Sequence, residues 1–109
     1  MKNRLLLVMG ALLLPVLAVQ AGDAKLIYDK ECAKCHGSDG KGQTKMGQKL
    51  GVKDYTDAKV QTALKDEAMA KAIKEGAKDK DGRSLMKPTE GVTDQDVKGL
   101  IALIRGFKK

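Results

Sequence analysis

The only two cysteines and the only histidine of this 109-residue chain stand within five positions, as Cys32-Ala33-Lys34-Cys35-His36. Scattered at random, three such residues would fall into this arrangement about once in six thousand sequences of the same length. A disulfide between Cys32 and Cys35 would suit an exported protein, but it leaves His36 without a role. A thioredoxin-like redox pair needs a strand-rich fold that the remaining sequence does not suggest. Structural zinc takes four ligands, usually with a second Cys or His pair, and the sequence has no such pair.

The spacing fits covalent haem attachment. Cysteines three apart share one face of a helical turn, so their sulfurs can add to the two vinyl groups along one edge of a haem as thioethers. The next residue then falls beneath the iron, where its imidazole supplies an axial nitrogen. Cys32 and Cys35 are therefore expected to hold one haem c, with His36 as an iron ligand.

The two ends of the chain and its composition agree with an exported, cofactor-built domain. Lys2 and Arg4 precede an apolar run from Leu5 to Val19, broken by Pro15 and leading into Val19-Gln20-Ala21. That is the layout of a secretory signal peptide, expected to be cleaved after Ala21. The run is shorter than the roughly 20 residues of a membrane span, so no stable membrane insertion is expected after cleavage. Residues 22–109 then form one domain, expected in the periplasm.

In that segment Leu, Ile, Val and Phe supply 15 of 88 residues. The fraction, about 17%, lies below the ~20% under which chains tend to be disordered. Small domains escape that limit with a staple or a cofactor, and a macrocycle buries apolar surface worth about 25 cal/mol per Å². The same segment has 19 basic and 14 acidic side chains. Its lysines are scattered and its aromatics are only Tyr28, Tyr55 and Phe107. Nucleic acid calls for clustered basic residues with stacking aromatics, so it is not an expected partner.

Helical spacing predicts a first helix from Asp23 to about Cys35, through Ala24, Ile27, Tyr28, Glu31, Cys32 and Cys35. Five glycines between Gly37 and Gly51 read as a loop. Thr56 is placed to cap a helix from Asp57 to about Leu64, and Asp66 to Glu75 forms another, stopped by Gly76. A second loop from Ala77 to Val92 holds Met86 and Pro88. Thr93 with Asp96 reads as a capping box, opening a last helix whose Val97, Leu100, Ile101, Ile104 and Phe107 share a face. No segment alternates like a strand, so the expected class is all-α.

Over almost all of residues 22–109 the chain resembles a bacterial single-haem class I cytochrome c. The likeness rests on the helix ahead of Cys32, the Cys32-to-Gly37 stretch, the glycine-rich loop, Met86-Lys87-Pro88, and the ending Leu103-Ile104-Arg105. It implies three to five short helices around one covalent haem, with the first and last helices crossing. It also implies a methionine from the late loop as the second axial ligand. Met86 matches that position, whereas Met69 lies on a helix face suited to the core and Met46 follows directly after the haem motif. A thioether raises the potential and fills the second axial site, which is the behaviour of an electron carrier rather than an enzyme. A permanent haem subunit of a larger oxidoreductase, or a haem protein binding peroxide or nitric oxide at an open site, are the competing functions.

Two departures from the family stand out. Members often carry a proline after the haem motif whose neighbouring carbonyl accepts the histidine's other N–H, and Gly47-Gln48-Lys49-Leu50-Gly51 has none, leaving the partner of His36 open. Where the terminal helices touch, members favour a glycine and an aromatic; here Ala24 and Leu103 stand there. The expected partners are redox proteins that dock transiently on a monomer. Lys34, Lys41, Lys45, Lys49, Lys53 and Lys87 flank the haem segments and would favour acidic patches.

Overall fold

The structure, a computed structural model, describes residues 21–109. The leader expected over residues 1–21 lies, but for Ala21, outside the described residues. Helix α1 (Ala21–Ile27) runs without a break through a π-helical turn (Tyr28–Cys32) into α2 (Ala33–His36). The first helix is thus continuous to the histidine, as the spacing predicts, but widened in its middle. There follow α3 (Lys45–Leu50), α4 (Ala58–Ala63), α5 (Asp66–Glu75), a two-stranded hairpin of β1 (Ala77–Lys78) and β2 (Ser84–Met86), and α6 (Asp94–Arg105). The fold is mostly helical.

Three expectations are corrected. The glycine-rich stretch is not all loop. Thr44 accepts the Gly47 N–H at 2.8 Å and so caps α3, and Gly51 ends that helix in the left-handed region, at φ +69°. Asp57 rather than Thr56 caps α4, accepting the Lys59 N–H at 2.8 Å. The late loop contains a hairpin, pairing Ala77 with Met86 and Lys78 with Ser84 across a bulge. Its turn is closed by Asp79, whose carboxylate accepts the N–H groups of Asp81 and Arg83, each at 2.9 Å.

Helix α6 opens with the full capping box: Asp96 N–H donates to Thr93 Oγ1 at 3.1 Å, and Thr93 N–H donates to Asp96 Oδ2 at 2.9 Å. Its Val97, Leu100 and Ile104 are buried and join Ala24, Tyr28, Cys32, Met69 and Ile73 in a single core. Eight buried apolar side chains make a thin core for such a chain. Helix α1 packs on α6 as the family resemblance implies, with Ala24 and Leu100 fully enclosed while Leu103 is only half-buried. The aromatic contact that Leu103 does not provide comes from one turn further on. The Phe107 ring meets Tyr28 with centroids 5.4 Å apart, and Gly40 makes room for it, since a Cβ there would strike the Phe107 ring.

Arg105 fastens the end of α6 to the α4–α5 junction. Its guanidinium donates to the carbonyl of Gln61 at 2.6 Å, the carbonyl of Leu64 at 2.7 Å and the carboxylate of Asp66 at 2.8 Å. Buried Gln61 in turn donates to the carbonyls of Tyr55 and Ile104, at 2.7 and 2.9 Å. These bonds close the wall of the cleft described next.

Candidate functional site

The N-terminal helix delivers the cysteines and the histidine. In the π-helical turn the Ala33 N–H reaches back five residues to the Tyr28 carbonyl; such one-turn widenings are frequent at functional sites. Ala24, Tyr28 and Cys32, each four residues apart, are buried on one side, and Cys35 is half-buried. The two do not form a disulfide. The backbone beyond them is held at successive points. Thr44 Oγ1 donates to the Cys35 carbonyl at 2.7 Å, the Gly42 N–H to the His36 carbonyl at 2.8 Å, and the Tyr28 hydroxyl to the Gly37 carbonyl at 2.6 Å. Gly47 lets α3 come this close, because a Cβ there would collide with the Cys35 and Gly42 carbonyls.

Cys32 and His36 face an apolar cleft, partly open to solvent, whose other walls include Tyr55, Leu64, Met69, Ile73, Leu100, Ile104 and Met86. Burial holds the His36 imidazole below its ordinary value, so it is neutral at pH 7, the form in which a histidine binds metal. Burial, reinforced by Glu31 and Cys35, pushes the Cys32 thiol up to about 11. Desolvation also raises the Tyr28 and Tyr55 phenols above their usual range. Among the described residues, His36 Nδ1 is the one buried side-chain polar atom without a hydrogen-bond partner.

Met86 arrives from another part of the chain. The hairpin sets its backbone opposite Ala77, and the Thr89 N–H donates to the Ile73 carbonyl at 2.8 Å, clipping the following segment to the end of α5. Gly76, at φ +77°, allows the crossing: a Cβ there would collide with the Met86 carbonyl and crowd Pro88. The other two methionines stand differently. Met46 is exposed and belongs to a separate shallow groove with Lys34, Lys45 and Lys49. Met69 is in the core, as its helix face predicts, and also lines the same cleft as Met86. Tyr55, which the sequence reading did not single out for the site, stacks on His36 with ring centroids 5.1 Å apart and planes 22° apart.

The donor set fits a haem. Adjacent thiols, a neutral imidazole and apolar walls with a thioether among them are what covalent attachment and axial ligation require. Fold and cleft together define a helical protein built around such a group. A family model described as Cytochrome c matches residues 21–108. The KustC0563 c-type cytochrome superposes with a TM-score of 0.69 at 35% identity, over 80% of this chain and 99% of that one. A tyrosine-to-phenylalanine mutant of that cytochrome gives 0.66 at 33% identity, over 79% and 99%. No curated protein matches. The chain belongs to the cytochrome c family. Its cofactor is therefore covalent haem c, one for its one attachment motif, and its chemistry is haem-based electron transfer.

Proposed function

We propose that the chain is an exported, single-electron carrier, with haem attached to Cys32 and Cys35 and its iron held between His36 and Met86. The observation that carries this reading is that His36 and Met86, fifty residues apart in sequence, line the same apolar cleft with Cys32. The bound haem supplies an iron that changes by one charge. Cys32 and Cys35 would anchor the haem, the apolar walls would enclose much of it, and with His36 and Met86 both bound to its iron electron transfer would be favoured over binding of small ligands. The basic leader and apolar run of the sequence support export to the periplasm. Among the described residues, no helix is long and apolar enough to cross a membrane.

Partners are transient and acidic in this reading. Lys34, Lys45 and Lys49 converge on one groove, and Lys87 is exposed beside Met86. Charges so placed raise the rate of encounter more than they tighten the complex, and reduction by an acidic redox partner should slow as salt is added.

The ligand assignment is tested by comparing Met86→Ala with Met69→Leu. Met86→Ala should abolish the weak near-infrared charge-transfer band of ferric His/Met haem and open the iron to carbon monoxide. Met69→Leu should keep the band. Loss of the band in Met69→Leu with its retention in Met86→Ala would reverse the assignment.

A further inference from the structure

A ligating imidazole is normally aimed by a hydrogen bond from its second nitrogen to a carbonyl, carboxylate or water, which also makes it a stronger donor to the metal. His36 has no such bond in the protein: Nδ1 is buried and unpartnered. Its ring lies instead against Tyr55, with centroids 5.1 Å apart and planes only 22° from parallel. Aromatic pairs in such offset arrangements attract beyond the area they bury. We infer that Tyr55 is a positioning residue that orients His36 through ring stacking in place of a hydrogen bond to Nδ1.

The support beneath Tyr55 is what makes it suited to this work. Its N–H donates to the Gly40 carbonyl at 2.8 Å, and its own carbonyl accepts from Gln61 Nε2 at 2.7 Å. On either side, Asp54 Oδ1 accepts both the Thr56 N–H, at 2.8 Å, and the Thr56 hydroxyl, at 2.6 Å, closing a tight turn around Tyr55. Gln61 is itself tied to the Ile104 carbonyl at 2.9 Å. The tyrosine backbone is thus fixed to both the haem-motif loop and the C-terminal helix, and its ring is the plate against which the imidazole rests. The consequence reaches the iron. An imidazole whose N–H makes no hydrogen bond gives less electron density, so the ferric state is less favoured and the potential is higher than a hydrogen-bonded histidine would set.

This inference rests on the reading of His36 as an axial ligand, and the experiment separates the two. Redox titration and electron paramagnetic resonance of the ferric holoprotein are compared for the native chain, Tyr55→Phe and Tyr55→Leu, with circular dichroism confirming the fold. Tyr55→Phe keeps the plate and should leave potential and g-values at their native positions. Tyr55→Leu should lower the potential and spread the g-values, as the freed ring turns and water reaches Nδ1. Native behaviour in Tyr55→Leu, or an equal shift in Tyr55→Phe, would overturn the inference. Should Tyr55→Leu not fold, proton NMR of the native ferrous protein decides. A His36 Nδ1–H without the downfield shift of a hydrogen-bonded imidazole supports the stacking role, and a strong downfield shift refutes it. If His36 were not a ligand, the native resonance spectrum would already lack its low-spin histidine signature before any variant was made.

Discussion

On the His36 side of the cleft, three contacts hold the imidazole and the backbone that carries it: Thr44 on the Cys35 carbonyl, Gly42 on that of His36, and Tyr55 on the ring. Met86 reaches the same cleft on a short hairpin whose outer residues are exposed, held by the Ala77 pairing and the Thr89 to Ile73 bond. The histidine ends a helix whose backbone is held at successive points, and the methionine rides on a short hairpin with exposed neighbours. Local opening draws on the elements with fewest buried contacts, so under the proposed ligation damage should displace Met86 long before His36.

The largest effect is expected on the histidine side. Gly47→Val drives a branched side chain into the Cys35 and Gly42 carbonyls. It should cost about 3 kcal/mol or more, with the melting temperature and the low-spin optical spectrum lost together. Gly76→Val strikes the methionine side, at a positive φ and against the Met86 carbonyl. A loss of about 1–3 kcal/mol is expected, and the near-infrared band should vanish while helical dichroism and covalent haem remain. If Gly76→Val proved as globally disruptive as Gly47→Val, the contrast between the two sides would fail.

Arg105→Ala tests the brace that serves both sides. Removing its donors leaves the Gln61 and Leu64 carbonyls without partners, at a cost of about 1–3 kcal/mol. Denaturant unfolding should shift at the helical and haem signals alike. Asp79→Ala removes only the acceptor that closes the hairpin turn. Hydrogen exchange should quicken across residues 77–86 and stay unchanged in α6, with a stability change of about 1 kcal/mol.

How far the site was legible depends on how short-range each signal is. The Cys32-to-His36 motif, the capping box at Thr93 and the stop at Gly76 are short-range signals, and each is found where the residues place it. Helix α3 was hidden because Gly47 breaks its propensity and only Met46 and Leu50 are apolar; it forms between the Thr44 cap and the Gly51 stop, with Gly47 letting it lie against α2. The hairpin escaped notice because its strands are two and three residues long, too short to show alternation. Tyr55 gave no local signal either, since a lone aromatic acquires meaning only from the imidazole it meets. The two terminal helices were legible from their spacing and their crossing followed from the family resemblance, but the aromatic contact comes from Phe107 and Tyr28 rather than from the position of Leu103.

The most direct test is the intact mass of the exported protein after denaturation and removal of all unbound small molecules, followed by peptide mapping. A permanent haem predicts the polypeptide mass plus one haem, carried on the peptide that contains Cys32 and Cys35. A colourless chain weighing no more than its amino acids would contradict the account at its root.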